Sequence, residues 1–301
     1  MTKIRHHAQR GFSLVELMVS TVIMLVVAGG VFGALNYYQK TYQRTEISAD
    51  MHDNLRSAID LITQEAGQAG AMNLSTTLGT RQLTNGVAIG SPVAQVVLMN
   101  DTTGIFPNEK LLVDAWATQE LVKVTAVTAN SVTGVFGNAH APATQVNLMG
   151  VFPEGILSTS TPTKLQLFGD INGDGTLVYV EYNCNYVAGG PGQLTRSITT
   201  ITGLGVINAA DLLMDNLIPN PGGTPCFQYP AAPPAVAGFI FINQVGVTLT
   251  VQTATRDAIT QHFLTMTKSA LDIVPRNIQM GLDLANDGLT NRLQPKPNPL
   301  P

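Results

Sequence analysis

The chain opens with a short basic segment and then a long hydrophobic stretch. The first ten residues, MTKIRHHAQR, carry basic side chains and no acid, and an apolar run follows from Phe12 to about Leu35. Glu16 is the only charge inside this run. Because an α-helix rises about 1.5 Å per residue, the run nearly crosses a hydrocarbon core about 30 Å thick.

Beyond the apolar run the pattern becomes amphipathic. Apolar residues recur at intervals of three and four, with charged or amide residues between them. The apolar set is Ile47, Met51, Leu55, Ala58, Ile59, Ile62, Ala66 and Ala69. This pattern predicts one helix from Phe12 to about Gly67–Gly70, where glycines end it. Two helices with a break near Asn36 are the alternative.

The rest of the chain reads as short strands separated by turn residues, because charged residues make up only 12% and Gly, Thr, Val, Asn and Pro are plentiful. The stretch Pro219–Pro234 is predicted to be a loop. The predicted strands are Val93–Met99, Leu111–Trp116, Leu121–Val127, Lys164–Phe168, Leu177–Tyr182, Gly238–Phe241, Val245–Gln252 and Leu264–Leu271.

The predicted fold class is therefore α+β, with a long N-terminal helix packed on a β-rich globular head. Residues 12–35 form a membrane or filament-core helix, and residues 36–70 continue it as the amphipathic half. The head spans residues 71–294, and residues 295–301 are predicted to be a flexible tail.

Two ordinary explanations of the N-terminus are incomplete. A signal peptide has an apolar stretch of roughly 7–15 residues, and the small-residue candidate Ala28–Gly30 lies inside the longer run here. A plain membrane anchor leaves Glu16 unexplained, since a carboxylate in an inserted segment costs about 2.5–3.5 kcal/mol. In either case the basic leader places the N-terminus in the cytoplasm, so the rest of the chain faces outward.

Residues Arg10–Val19, RGFSLVELMV, resemble the type III signal of type IV prepilins, in which a basic leader precedes G|FxxxE and an apolar helix. The resemblance implies that a prepilin peptidase removes the leader, residues 1–11, by cutting between Gly11 and Phe12. It also implies methylation of the new amino group of Phe12. Glu16 would then pair with the N-terminus of a neighbouring subunit, which removes two charges from the filament core together.

The apolar helix departs from many major pilins, which carry a proline about two-thirds of the way along it. This chain has Gly29, Gly30 and Gly33 there. Glycine weakens a helix interior by roughly 1 kcal/mol, so local loosening is one interpretation. The GxxxG pair Gly29 and Gly33 equally indicates a close-packing face between helices.

Segments of the head resemble PilW-type minor pilins, in their order and spacing along the chain. Pro275-Arg276-Asn277 is similar to the arginine–asparagine pair of that family's last strand. The other resembling segments are Asp60-Leu61 with Gln68-Ala69-Gly70 at the helix end, and Leu167–Gly175 with Val180-Glu181-Tyr182 as a strand–loop–strand unit.

The same loop fits a calcium-binding pattern. The sequence reads DxNxDG followed by five residues and Glu, which supplies Asp170, Asn172 and Asp174, the Thr176 carbonyl and a bidentate Glu181. A tight hairpin is the alternative, because Asn-Gly and Asp-Gly are strong turn signals. No cofactor is required for polymerisation, and calcium is the ion this loop predicts.

The two cysteines, Cys184 and Cys226, are too few for a disulfide-dense scaffold, and no CxxC is present. In a reducing compartment they would be ordinary core thiols. Export, as the N-terminus implies, predicts a disulfide between them.

Composition and motifs argue against two functional classes. A net charge of −4 gives no support to nucleic-acid binding. No GxSxG, HExxH, P-loop or Cys–His signature appears, and the histidines outside the leader, His140 among them, are isolated in sequence, so no enzymatic activity is predicted. The single tryptophan, Trp116, is interpreted as a core residue.

Three functional hypotheses follow. The first is a PilW-type minor pilin that primes assembly or lies near the tip, and its partners are other pilin subunits, prepilin peptidase and the inner membrane. The second is a J-type pseudopilin of a type II secretion system, which shares the same N-terminus. The third is a membrane-anchored periplasmic binding module that never polymerises. The first two predict an inner-membrane protein with a periplasmic head that passes into a pilus or pseudopilus.

Overall fold

A single long helix, α1 (Leu14–Gln68), dominates the N-terminal part of the chain. The structure, a computed structural model, describes residues 12–72, 81–87, 93–187, 190–201, 208–298 and 300. The chain divides into two compact units, whose described residues lie within 12–51 with 253–264, and within 52–252 with 265–300. Since α1 is continuous over 55 residues, the predicted single helix is confirmed and the alternative break near Asn36 is wrong.

The second half of α1 packs on a β-rich head, as the amphipathic pattern predicts. Its apolar positions from residue 52 onward are buried at the predicted spacing, whereas Ile47 is 38% exposed. The buried positions are Leu55, Ala58, Ile59, Ile62 and Ala66, followed by Ala69 just past the helix end. Burial of aliphatic side chains of this size stabilises by about 1.5–3 kcal/mol each, so this stripe holds the helix on the head.

The first part of the head is a five-stranded antiparallel sheet with the order β1-β4-β3-β2-β5. The strands are short, and the β2–β3 hairpin at its centre pairs Leu111 with Val122. Their bounds are β1 (Gln95–Leu98), β2 (Lys110–Val113), β3 (Glu120–Val127), β4 (Ser131–Gly134) and β5 (Val146–Leu148).

The second part is a seven-stranded antiparallel sheet with the order β10-β13-β9-β8-β7-β6, in which β14 also pairs with β13. The separate pair β11 (Ala235–Val236) and β12 (Phe239–Ile240) forms a small ribbon. The strands of the large sheet are β6 (Lys164–Gly169), β7 (Val178–Val187), β8 (Gly190–Thr200), β9 (Asp211–Ile218), β10 (Phe227–Gln228), β13 (Val245–Gln252) and β14 (Thr265–Ile273).

The large sheet curls so that its two ends meet. The Phe227 N–H of β10 donates to the Pro162 carbonyl beside β6 at 2.9 Å. The Tyr229 hydroxyl donates to the Lys164 carbonyl at 2.8 Å. These bonds satisfy backbone groups that an open sheet edge would leave unpaired.

The hydrophobic core contains side chains from both sheets. Val97 and Val124 of the small sheet belong to the same buried cluster as Phe168 and Tyr179 of the large one. Phe152 packs edge-on against Phe168, with ring centroids 4.9 Å apart. The two sheets of the head therefore share a core.

The sequence missed a second helix, α2 (Arg276–Asn286). Pro275-Arg276-Asn277, predicted to lie in a last strand, instead forms the N-terminus of this helix. Ile278, Leu282 and Ala285 are buried on one face. Their spacing of four and three residues, together with proline just before the first turn, is a helix signal that the strand prediction overlooked.

Described residues near the C-terminus contact the head, and one of them, Leu300, lies within the predicted flexible tail of residues 295–301. The side-chain amide of Gln294 accepts from the Lys110 N–H and donates to the Lys110 carbonyl, both at 2.9 Å. Leu300 is only 8% exposed and belongs to the core cluster. Leu300 packs there because its side chain is apolar, and the tail prediction did not take this residue into account.

Trp116 is not a core residue. It lies in a short turn between β2 and β3 and is 94% exposed. Both Trp116 (φ 62°) and Asp114 (φ 67°) adopt the left-handed backbone region, which is uncommon for residues other than glycine. The predicted strand Leu111–Trp116 therefore ends earlier, at Val113.

We expect the fluorescence of Trp116 to report this exposure. As the only tryptophan in the chain, it should emit like tryptophan in water and be quenched efficiently by iodide. Unfolding in urea should shift the emission very little, because the indole is already solvated. Blue-shifted emission protected from iodide would contradict the observed position.

Candidate functional site: the N-terminal helix and its junction with the head

The first half of α1 is apolar on every side. Within the described residues this is the one helix long and apolar enough to span a membrane, with a mean hydropathy of 2.3 over its most apolar window and none of that window buried. Phe12 is 80% and Met24 73% exposed. A helix that is hydrophobic all round belongs in a membrane or in the core of an assembly.

Polar groups within this half are satisfied locally. The Ser20 hydroxyl donates to the Glu16 carbonyl at 2.7 Å, and the Thr21 hydroxyl donates to the Leu17 carbonyl at 2.8 Å. Such bonds remove hydroxyl donors from an apolar surrounding. The Glu16 side chain is exposed in the first turn of the helix, and no ion pair joins it to another described residue.

The predicted cleavage site lies only partly within the described residues. Phe12 and Glu16 are described, whereas Gly11 and the rest of the leader lie outside. An added Cβ at Gly29, Gly30 or Gly33 would meet no atom within 4 Å. These glycines are therefore not required by contacts within the described chain, and both interpretations of them stay open.

Residues 68–71, 168–170 and 277, far apart in sequence, meet at the end of α1. The Gly70 N–H donates to the Phe168 carbonyl at 2.8 Å, and the Asp170 N–H donates to the Ala71 carbonyl at 2.9 Å. The Asn277 side-chain amide donates to the carbonyl of Gln68, the last helical residue, at 3.1 Å. Carbonyls at a helix C-terminus lack intrahelical hydrogen-bond donors. Here a side chain of α2 supplies a donor to one of these carbonyls.

Two glycines allow this close approach. Gly70 (φ 79°) takes the left-handed conformation that ends many helices, and an added Cβ would lie 2.6 Å from the Phe152 carbonyl oxygen. Gly169 (φ 141°) would place a Cβ 2.8 Å from the Ala71 carbonyl oxygen. Any side chain at either position would push the helix end away from the sheet.

A buried ion pair also joins α1 to the large sheet. Glu65 is 4% exposed, and its carboxylate accepts two bonds from the Arg196 guanidinium, at 2.5 Å from Nη2 and 3.2 Å from Nε. The Tyr182 hydroxyl donates to the same carboxylate. Burial and the neighbouring Glu65 charge raise the pKa of Tyr182. Sequence reasoning missed this network because its members are 117 and 131 residues from Glu65.

Four of the five predicted calcium ligands lie in one turn between β6 and β7, and the fifth, Glu181, lies on β7. The Asp170 carboxylate accepts the N–H groups of Asp174 and Gly175 at 3.1 and 3.0 Å, and Asp174 accepts the Thr176 N–H at 2.8 Å. Burial raises the pKa of Asp170. The two acids therefore cap the backbone of a tight turn between β6 and β7, which is the hairpin alternative.

Glu181 is bound elsewhere. It lies on β7 opposite Gln166, about 10 Å along the strand from the turn. Its oxygens accept from the Tyr179 hydroxyl at 2.5 Å and from Asn183 at 2.8 Å, and Lys164 Nζ lies 3.2 Å away. No group of three or more His, Cys, Asp or Glu suited to a metal occurs among the described residues. Glu181 therefore does not join the other four predicted ligands, and calcium binding by the turn stays a prediction.

Cys184 and Cys226 form a disulfide, as predicted. Both are buried. The bond connects β7 with the segment just before β10 and encloses β8 and β9, since the cysteines are 42 residues apart. Closing a loop of this length stabilises by about 4 kcal/mol in a chain-entropy treatment. The disulfide therefore fastens the proline-rich segment to the sheet.

His140 is not isolated, contrary to its sequence interpretation. Its buried ring places Nδ1 3.0 Å from Asp114 and Nε2 2.6 Å from Glu120. The hydrogen bond with His140 is the largest cause that lowers the pKa of Asp114. Because Asp114 and Glu120 are the two ends of the β2–β3 loop, the histidine fixes the loop that presents Trp116.

We expect the buried Glu109 to make folding stability depend on pH. It is fully buried, one of its oxygens has no hydrogen-bond partner among the described residues, and burial raises its pKa from 4.5 to about 8. The folded protein then holds a proton that the unfolded chain releases above pH 4.5. The stability that Glu109 contributes should be fully present below that pH and fall by up to about 1.4 kcal/mol per pH unit as pH rises towards 8.

Urea unfolding between pH 5 and pH 8 measures this effect. Glu109→Gln should flatten the decline, and Glu154→Gln, which changes another head glutamate, should leave it unchanged. Equal pH dependence in wild-type protein and Glu109→Gln would show that Glu109 is not the group responsible.

The N-terminus matches a known motif. A family model described as "Prokaryotic N-terminal methylation motif" matches residues 6–32. The matched segment contains Gly11, Phe12 and Glu16. No curated protein and no solved structure matches the chain. The motif supports a type IV pilin-like protein of pilus or pseudopilus type, anchored in a membrane through its apolar helix.

Proposed function

We propose that the chain is a prepilin that is cleaved between Gly11 and Phe12, methylated at Phe12 and built into a filament. The observation that carries this proposal is the methylation motif at the start of one continuous helix. The apolar half of that helix is exposed, and the other half packs on the head. A subunit that polymerises through its helix needs both halves.

In this mechanism Glu16 and the Phe12 amino group set the register between subunits. A carboxylate within an apolar helix is tolerated in a dry filament core when it meets an opposite charge. The N-terminus of a neighbouring subunit supplies that charge. The head contributes no catalytic step, and its partners are prepilin peptidase, the inner membrane before assembly and other pilin subunits.

Within the class we propose a minor pilin of PilW type that primes assembly or lies near the tip. Support comes from the junction at the end of α1, where the resembling segments meet through Gly70, Gly169 and Asn277. A J-type pseudopilin of a type II secretion system is the second candidate, because it shares the N-terminal motif.

Deletion of the gene separates these two candidates. Loss of sheared pili with normal secretion, restored by the wild-type gene, would support the minor pilin. Loss of secretion with normal pili would support the pseudopilin instead. If neither changes, the filament role fails and a membrane-anchored module becomes the better explanation.

A further inference from the structure

The stretch of α1 just after the apolar run is rich in exposed tyrosine. Tyr37, Tyr38 and Tyr42 are 62%, 69% and 71% exposed. At about 1.5 Å per residue they lie roughly 3–10 Å beyond Leu35, where the apolar run ends. Tyrosine is enriched at this depth of a bilayer, among the lipid headgroups.

A turn from the far end of the sequence packs beside this stretch. Residues 253–264, which connect β13 to β14, belong to the same compact unit as residues 12–51. Two backbone hydrogen bonds close the turn. The Thr253 N–H donates to the Leu264 carbonyl and the Asp257 N–H donates to the His262 carbonyl, both at 2.9 Å. Together the turn and the helix enclose a cavity of about 80 Å³.

The lining of this cavity is cationic. Lys40, Arg44 and Arg256 contribute to it, and Asp257 is the only acid among the described residues that line it. The Asp257 carboxylate is already used within the turn, because it accepts the backbone N–H and the hydroxyl of Thr260 at 2.9 and 2.7 Å. Its contact with Arg44 is long, at 3.9 Å. The cluster therefore keeps an excess of positive charge.

Apolar side chains lie next to these cations. The Arg256 guanidinium sits 5.6 Å from the ring centre of Phe263, which is 40% exposed. Ile259 on the same turn is 39% exposed. Exposed apolar groups beside Lys and Arg are the combination that binds an anionic membrane surface.

We propose that this cluster is a binding site for an anionic phospholipid headgroup, on the side of the membrane opposite the leader. Lys40, Arg44 and Arg256 bind the phosphodiester, while Phe263 and Ile259 enter the interface. The inference rests on the membrane residence of α1 in the proposed function. Lipid fits better than a neighbouring subunit because Lys40 and Arg44 follow the apolar run, about 8 and 14 Å beyond Leu35. Long Lys and Arg side chains at this distance extend back to the headgroups.

Hydrogen exchange of the full chain in nanodiscs tests the site. Discs of phosphatidylcholine alone are compared with discs that contain phosphatidylglycerol. We expect the amides of residues 253–264 to exchange at least about fivefold more slowly in the anionic discs, the factor that one cation near such a surface contributes. The triple variant Lys40→Gln, Arg44→Gln, Arg256→Gln should lose the difference.

A matched variant, Arg56→Gln, Lys123→Gln, Lys268→Gln, removes the same charge elsewhere and should keep the difference. Equal exchange in both discs, or equal loss in both variants, would overturn the proposal. So would protection by inorganic phosphate in neutral discs, or protection that appears only in filaments. Rapid amide exchange in residues 14–35 would refute the membrane residence of α1 itself. Slow exchange in residues 14–35, combined with exchange in residues 253–264 that is the same in both kinds of disc, would refute this site alone.

Discussion

Replacing Glu16 with glutamine is expected to give a subunit that is cleaved and inserted in the membrane but absent from filaments. The carboxylate would otherwise meet the Phe12 amino group of a neighbour in an apolar core. Removing one partner of a buried ion pair costs about 3–5 kcal/mol, because the other charge is left unpaired. Since 1.4 kcal/mol is a factor of ten, incorporation should fall by at least roughly a hundredfold.

Immunoblots of sheared filaments and of alkali-washed membranes measure both parts of this result. Glu46→Gln is the matched control, because it changes an exposed glutamate farther along the same helix. It should enter filaments normally. Normal incorporation of Glu16→Gln would show that the residue does not set the subunit register, and loss from membranes would point to an insertion defect instead.

Replacing Glu65 with glutamine should destabilise the head by about 3–5 kcal/mol, the cost of breaking a buried pair. The change leaves the Arg196 guanidinium, which is 17% exposed, without its carboxylate. Urea unfolding of the detergent-solubilised full chain measures the loss. The comparison is Asp60→Asn, which breaks the exposed pair with Arg56 on the same helix. Such surface pairs contribute about 0–1 kcal/mol.

A second variant keeps this test decisive if Glu65→Gln fails to fold. Replacing Glu65 with leucine, Arg196 with methionine and Tyr182 with phenylalanine removes the whole polar group. Because apolar replacement of a buried ion pair is often neutral, this protein should recover most of the stability. A Glu65→Gln loss no larger than that of Asp60→Asn would contradict the role of the pair.

Local patterns in the sequence were enough to predict the helix. Three local features indicated it: the apolar run, the apolar stripe that includes Leu55 and Ile62, and the glycines at the helix end. Each of these features is defined by residues close together in the sequence. Most strands with clear alternation were also found, and Val245–Gln252 has its predicted bounds. β8 and β9 were missed because polar residues such as Thr195 and Asp215 interrupt their apolar positions.

Features set by distant contacts could not be predicted. Asp170 and Asp174 suit a cation or a turn equally well in sequence, and only the position of Glu181 on β7 separates the two. The contacts of Glu65 with Arg196, and of His140 with its carboxylates, depend on which strands become neighbours. The motif at Gly11, Phe12 and Glu16 could be recognised from the sequence because its residues lie within one short segment.

Intact mass and N-terminal sequencing of the protein from membranes, with and without prepilin peptidase, test the filament-subunit assignment most directly. The proposed function predicts a start at N-methylated Phe12 that depends on the peptidase. An uncut Met1 start in both strains would contradict it, and the chain would then be a plain membrane-anchored module.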